Sequence, residues 1–286
     1  MNKLINYGIY LAVVAMFAAY LVISTTNDGL GTVAAARDSA PSIGSAPDPS
    51  PSSSPPPTPE PVYKGYCLNV PVLMYHHVEP IEQARAAWHA QLTVDVGVFE
   101  NQMKYLISRG YKTIFADELV DALINKRSLP AKSVVITMDD GYSDIYTYAY
   151  EILKKHDIRA NLMISTGLLE NPGYMTWNQL KQMVQSGHVT AYDHTWSHSS
   201  LVGKSNEKAI YEIVTAKEQL EQQLAKNQNI FAYPYGTYDS RVISLLRENG
   251  FIAAFSTDGG TIQCDSFIMS LHRVRVGNFP LSAYGI

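Results

Sequence analysis

The chain has 286 residues, of which 46% are hydrophobic and 17% are charged, an ordinary balance for a globular protein. Its formal net charge is −4, so it lacks the basic footprint of a nucleic-acid-binding protein. Its two cysteines do not form a CxxC pair, which argues against a metal held by cysteine.

The first 28 residues predict a membrane anchor or a signal peptide. Leu4 to Ser24 is almost wholly apolar, and Lys3 precedes it. A run of about 20 apolar residues suits a helix that crosses a bilayer, but it also overlaps the range of a secretory signal. Small residues at 33–36 lie further past this run than a signal-peptidase site usually does, which favours an uncleaved anchor.

Residues 29–61 predict a disordered linker that is rich in proline and serine, as in Pro55-Pro56-Pro57. Such a composition cannot bury a core and favours an extended, semi-rigid spacer. Residues 62–286 have the size of a single domain. We expect this domain to lie outside the cytoplasm, held to the membrane by the N-terminal helix, or to be secreted if that segment is cleaved.

Residues 62–286 predict strands that alternate with helices. The predicted strands cover residues 71–75, 113–115, 133–138, 160–164, 189–192, 230–232, 251–255 and 272–276. The predicted helices lie near residues 99–107, 119–124, 145–155, 177–186, 206–226 and 240–248. This alternation indicates an α/β fold with a parallel sheet. About seven βα units favour a sheet that closes into a distorted TIM-like barrel.

Polar residues follow several of these predicted strands: His76, Asp139, Asp140, His194 and Tyr235. In α/β barrels, catalytic residues collect at the carboxyl ends of the strands. This shared position predicts that the five residues meet at one edge of the sheet.

Asp139, Asp140, His194 and His198 predict a metal-dependent hydrolase. An aspartate and two histidines can hold one divalent ion and leave a position for water, while a second aspartate acts as a base. An Asp-Asp-Gly run alone is more often a turn with solvated carboxylates. The histidine pair favours the metal interpretation, because its four-residue spacing can bring both rings to one side.

Three motifs in this chain resemble those of the polysaccharide deacetylase family, carbohydrate esterase family four, with its NodB-homology domain. They are Thr137-Met138-Asp139-Asp140-Gly141, His194-Thr195-Trp196-Ser197-His198 and Ala232-Tyr233-Pro234-Tyr235-Gly236. The resemblance covers Val70 to Val276. Residues 71–77 and 99–123 are more specifically similar to the branch that includes biofilm poly-N-acetylglucosamine deacetylases.

The resemblance implies an N-deacetylase with a role for each motif residue. Asp140, His194 and His198 are the implied ligands of one divalent metal, most often zinc in this family. Cobalt, nickel or manganese would also suit nitrogen and carboxylate ligands. Asp139 is the implied general base, and the backbone N–H of Tyr235 is implied to hold the oxyanion.

The sequence departs from the family at two points. The arginine of the third motif, which orients the base, is Ala232 here, so Asp139 must be held differently or not at all. The late Leu-x-His motif, which supplies the acid in many members, has only Leu271-His272 as its nearest match. In the resembling branch the acid comes from an N-terminal Tyr-His segment, which points to His76.

Several residues remain open to two interpretations. Trp177, Trp196 and Pro234 are candidates for a sugar-binding groove, although a tryptophan at a helix start more often packs in the core. His77 either supports His76 or simply ends a strand, and His272 is expected to be structural. Cys67 and Cys264 either form a disulfide in an exported domain or are two unrelated thiols. These last two are the only cysteines of the chain.

The sequence therefore predicts a membrane-associated, extracytoplasmic, metal-dependent deacetylase of a polysaccharide that contains N-acetylglucosamine. One alternative is an esterase or amidase of the same fold that acts on another acylated substrate. A second alternative is a glycan-binding protein that has lost turnover, and the missing arginine at Ala232 is its only support.

Overall fold

The structure, a computed structural model, describes residues 63–286. The predicted membrane segment (1–28) and the predicted linker (29–61) lie outside these residues. Between Tyr63 and Ile286, the structure contains no helix whose length and apolar character would let it cross a bilayer.

Short strands and helices alternate along the described residues. The strands are β1 (Cys67–Asn69), β2 (Val72–Tyr75), β3 (His77–Val78), β4 (Thr93–Val94), β5 (Lys112–Ile114), β6 (Ser133–Asp140), β7 (Ala160–Ile164), β8 (Val189–Asp193), β9 (Ile230–Ala232), β10 (Ala253–Phe255), β11 (Ile262–Cys264) and β12 (Val274–Arg275). The α-helices are α1 (Ile81–Ala86), α2 (Val96–Ser108), α3 (Ala116–Ile124), α4 (Tyr150–Lys155), α5 (Trp177–Gln185), α6 (Asn206–Leu224) and α7 (Ser240–Glu248).

The main sheet is parallel and curled. Its eight strands run in the order β10, β9, β8, β7, β6, β2 and β12, with β5 beside β6, and all of these pairings are parallel. A parallel bridge joins Phe255 in β10 to Leu271, just before β12 begins. The structure thus confirms the predicted α/β class, and its curled sheet is consistent with a distorted barrel.

Strand β6 lies at the centre of the sheet and is buried along its whole length. Val134 and Ile136 pack in one core with Phe99 of helix α2. Val135 points to the opposite face and packs in another core with Leu119 of helix α3. Burial on both faces explains why this segment reads as a continuous apolar run rather than an alternating one.

Cys67 and Cys264 form a disulfide that joins β1 to β11, so the structure decides between the two alternatives for these cysteines. The two strands pair in antiparallel fashion, with the cysteines opposite each other. The bridge closes a loop across a sequence separation of 197 residues. Such a crosslink stabilises the fold mainly because it restricts the unfolded chain.

Candidate metal centre

The end of strand β6 places two adjacent carboxylates in one cavity. Successive side chains of a strand normally point to opposite faces. Asp140 breaks this alternation because its backbone is left-handed, with φ of 75°, and Gly141 follows with φ of 91°. Asp139 and Asp140 are both buried and line the same cavity of about 570 Å³.

Asp140, His194 and His198 form a cluster with the donor set of a divalent-metal site. Oδ1 of Asp140 lies 3.4 Å from Nε2 of His194 and 3.1 Å from Nε2 of His198. This buried oxygen has no hydrogen-bond partner of acceptable geometry within the described residues. A carboxylate oxygen that lacks such a partner and faces two imidazole nitrogens fits a bound cation. The residues present therefore fit the implied metal.

The ring of His194 is oriented by its other nitrogen. Nδ1 of His194 lies 2.7 Å from the carbonyl oxygen of Ala232. A carbonyl can only accept, so Nδ1 carries the proton and Nε2 keeps its lone pair toward Asp140. A partner on the second ring nitrogen is typical of metal-binding histidines. Ala232, where the family arginine is missing, thus contributes through its backbone.

His194 and His198 meet through a loop that follows β8, and not through a helix. The loop turns sharply, since Thr195 and His198 have φ of 67° and 57°. Glu212 of helix α6 holds it in place: its carboxylate accepts hydrogen bonds from the backbone N–H of Ser197 at 2.8 Å and from the Ser197 hydroxyl at 2.6 Å. The left-handed turns and the Glu212 contacts, rather than a helical repeat, bring the two rings together.

The charges of the cluster support one another. Burial works to raise the pKa of Asp140, but the favourable interactions with His194 and His198 outweigh it and hold that pKa well below its usual range. Burial likewise works to lower the pKa of His198, and the interaction with Asp140 raises it overall. A divalent ion bound between the three side chains would likewise favour the charged form of Asp140.

Asp139 is held by an arginine that the sequence analysis missed. Nη1 of Arg273 donates to Oδ1 of Asp139 at 2.7 Å and contacts the Thr137 hydroxyl at 3.2 Å, while Nε donates to the carbonyl of Ser256 at 2.8 Å. Both partners of the ion pair are at most 2% exposed. Alanine stands at position 232, where the third motif has an arginine, but Arg273 from the C-terminal segment contacts the carboxylate of Asp139 instead.

Strand β11 positions the backbone beside Arg273. The side-chain amide of Gln263 donates to the carbonyl of His272 at 3.0 Å and accepts from the N–H of the same residue at 3.0 Å. The N–H of Arg273 donates to the carbonyl of Asp258 at 2.9 Å. One sequence signal could have indicated Arg273: it belongs to the predicted C-terminal strand, in which arginines alternate with Val274 and Val276.

His76 and Tyr235 lie in the same cavity as the two aspartates. Tyr75 pairs with Met138 across β2 and β6, so His76 continues its strand beside Asp139. Burial lowers the pKa of His76, against the opposing charges of the two aspartates. Tyr235 is left-handed, with φ of 60°, and its ring lies 4.7 Å from that of His198.

The three candidates for sugar binding do not line this cavity. Trp177 packs against the main core at the start of α5. The Trp196 ring packs over Gly167, where an added Cβ would come within 2.7 Å of it. Pro234 is buried. A role for these three residues in sugar binding stays a prediction.

His272, expected to be structural, stacks on the ring of Phe267 at 4.5 Å. Its Nδ1 is buried without a hydrogen-bond partner in the described part of the chain. The packing agrees with a structural role for this histidine.

Comparisons with known proteins place the chain among deacetylases. A family model described as polysaccharide deacetylase matches residues 126–254. YxkH of Bacillus subtilis (strain 168), whose name assigns it to the polysaccharide deacetylases, is 30% identical over 218 residues, which cover 76% of this chain and 75% of YxkH. The poly-beta-1,6-N-acetyl-D-glucosamine N-deacetylase of Staphylococcus aureus (strain MSSA476) is 27% identical, over 65% of this chain and 68% of that protein.

A solved structure shows the same similarity. Streptococcus pyogenes deacetylase PplD, in complex with acetate, matches with a TM-score of 0.69 and 30% identity, over 73% of this chain and 92% of PplD. The residues matched by the family model include both aspartates of β6 and both histidines of the cluster.

Metal content should separate the roles of the two aspartates. Asp140→Asn removes the charge that faces both histidines, and we expect it to weaken binding of a divalent ion by at least about 100-fold. Asp139→Asn is the matched control and should bind the ion as the wild type does, because Arg273 already occupies Asp139. Metal per chain, measured after equilibration with zinc, checks this. Loss of the ion in Asp139→Asn with retention in Asp140→Asn would mean that the two roles are reversed.

Proposed function

Since this chain belongs to the polysaccharide deacetylase family, we propose that it hydrolyses the N-acetyl groups of a polysaccharide that contains N-acetylglucosamine and releases acetate. The observation that carries the proposal is one cavity that holds a metal-type cluster beside a second carboxylate paired with Arg273. The Staphylococcus aureus relative, named for poly-beta-1,6-N-acetyl-D-glucosamine, supports this substrate class.

The donor set of Asp140, His194 and His198 suits zinc, and also cobalt, nickel or manganese. Such an ion, when bound, supplies polarisation of the acetamide carbonyl and a lower pKa for water. The protein's part is to fix these ligands. The Ala232 carbonyl orients the ring of His194, and the contacts of Glu212 fix the loop that carries His198.

Asp139 is the proposed general base. Arg273 occupies Oδ1 of Asp139, which leaves Oδ2 to accept the proton of the attacking water. The ion pair also fixes the direction of the carboxylate in a buried site. Positioning of this kind accounts for much of the rate enhancement in hydrolases.

His76 is the proposed general acid, which protonates the departing amine. It follows β2 directly beside β6 and lines the same cavity as Asp139 and Asp140. The backbone N–H of Tyr235 is the proposed donor to the oxyanion. The water proton goes to Asp139 and a proton from His76 goes to the amine, so water and the acetamide become acetate and a free amine.

We also propose that the protein lies outside the cytoplasm, with the N-terminal segment as its membrane anchor. The Cys67–Cys264 disulfide supports export, because disulfides persist in oxidising compartments. The alternative of a glycan-binding protein without turnover rested on Ala232. The absence of an arginine at position 232 supports that alternative less strongly, because Arg273 supplies a guanidinium to Asp139 from another position.

Acetate release from N-acetylglucosamine oligomers tests the proposal directly. We expect the full chain to release acetate from a β-1,6-linked or a β-1,4-linked oligomer. Chelation should reduce the rate by at least about 100-fold, equivalent to roughly 3 kcal/mol, and added zinc or cobalt should restore it. Bound metal without release from either oligomer would shift the proposal to another acylated substrate. If the protein neither binds metal nor releases acetate, the result would favour the non-catalytic alternative.

Removal of Arg273 should slow turnover through Asp139. We expect Arg273→Ala to lower the rate by about 100-fold, because the base loses its orientation. It should also destabilise the fold by about 3–5 kcal/mol, since a buried charge loses its partner. The decisive comparison is the double variant: Arg273→Ala should cause little further loss of rate when Asp139 is already asparagine. Additive losses would show that Arg273 acts independently of Asp139.

His76 should matter only when the leaving group needs a proton. We expect His76→Ala to slow acetate release from the oligomer by about 100-fold or more. Hydrolysis of 4-nitrophenyl acetate should fall less than about tenfold, because 4-nitrophenolate leaves without protonation. His188→Ala is the control, since His188 precedes β8 at the opposite end of that strand from the cavity. Equal losses on both substrates would assign His76 a structural role.

A further inference from the structure

A second cluster of metal-binding side chains lies outside the candidate metal centre. His77, Glu79 and His89 each place one ligand atom within 4.8 Å of the other two. Within residues 63–286, the candidate metal centre is the other group of three side chains that meets this condition. Two imidazoles and one carboxylate are the same donor set in both places. We call this group the second cluster.

His77 is oriented for metal binding through its far nitrogen. Nδ1 of His77 lies 2.7 Å from Oδ2 of Asp144, and Oδ1 of Asp144 accepts the backbone N–H of Val78 at 2.8 Å. The doubly held carboxylate can only accept from the ring, so Nδ1 carries the proton and Nε2 keeps its lone pair. A carboxylate behind a histidine is the usual arrangement in metal sites.

The loop between β3 and β4 holds His89 in place. The N–H of His89 donates to the carbonyl of Ala84 at 3.1 Å, and its carbonyl accepts from the Thr93 hydroxyl at 3.1 Å. The preceding Trp88 is left-handed, with φ of 63°, and is 89% exposed. A bulky residue in this conformation is strained, and the turn that it makes directs His89 inward toward His77.

The second cluster lies beside the catalytic cavity. The rings of His77 and His89 stack at 4.2 Å, and His77 stacks on Tyr142 at 3.6 Å. All three rings border a cavity of about 470 Å³, and Tyr142 also borders the cavity that holds Asp140. Nε2 of His89 contacts the Glu79 carboxylate. Because an imidazole lone pair lies in the plane of its ring, one of the two stacked rings must turn for both to bind the same ion.

We propose that the second cluster is a second transition-metal site, which takes a divalent ion such as zinc through His77, Glu79 and His89. Three protein ligands leave at least one coordination position for water or a substrate oxygen on the side of the cavity. The competing interpretation is a simple ion pair between Glu79 and His89 that binds no metal. The proposal goes beyond the deacetylase function and does not depend on it.

The distribution of histidines makes the proposal testable by counting ions. The chain has eight histidines and all lie in the described residues. Both cysteines are in the disulfide, so no thiolate competes. His156 provides a matched control, because its Nε2 lies 2.9 Å from Glu100 and no third metal-binding side chain joins the pair among residues 63–286.

The experiment measures zinc per full chain. The protein is stripped with a chelator, equilibrated at a buffered free zinc concentration of about 1 μM, and analysed by elemental mass spectrometry. The wild type and His156→Asn should bind two ions. His89→Asn and Asp140→Asn should each bind one, and the double variant should bind none. Glu79→Gln should match His89→Asn. Thermal unfolding of metal-free His89→Asn that matches metal-free wild type would show that the lost ion reflects a lost ligand and not a misfolded protein.

The same counts separate this inference from the proposed function. If His89→Asn binds as many ions as the wild type, the second site is overturned, whatever happens at Asp140. If the wild type binds one ion and only His89→Asn loses it, the second site stands and the candidate metal centre fails. If only Asp140→Asn loses the single ion, the reverse holds.

Discussion

The left-handed turn at Asp140 is the constraint on which the rest of the site depends. Strand β6 is buried along its length, so its carboxylates can share a cavity only if the backbone leaves the strand between them. The neighbouring strands then add their own carboxyl ends: His76 after β2, His194 after β8 and the Ala232 carbonyl at the end of β9. A parallel sheet brings these ends to one edge, which is why such a site can form from distant segments.

Two adjacent buried carboxylates repel each other, and the structure gives each carboxylate its own set of partners. Arg273 neutralises Asp139, so the charge of Asp140 is left for the histidines. A guanidinium is fixed in charge and fork-shaped, whereas the imidazoles can exchange a proton for a metal ion. The different partners support the proposed roles of Asp139 as an oriented base and Asp140 as a metal ligand.

The sequence predicted the parts of this site that are local and missed those that are not. The apolar run of β6 leads directly into the paired aspartates, and the two histidines are four residues apart, so each of these signals is local. The Arg273–Asp139 contact spans 134 residues, and no periodicity reports it. Strands such as β3 and β4 have two residues each, too few to carry a pattern. The second cluster depends on that strand pair, so the sequence left His77 without an assigned role.

The disulfide connects the compartment of the protein to the geometry of its base. Arg273 lies just before β12, a strand of two residues that could hardly position a buried charge alone. The side chain of Gln263 hydrogen-bonds both backbone groups of His272, the neighbour of Arg273. Gln263 is adjacent in β11 to the disulfide-bonded Cys264. The crosslink thus braces, through β11, the segment that carries the guanidinium. An oxidising compartment would maintain this brace, so the proposed export would also preserve the orientation of Asp139.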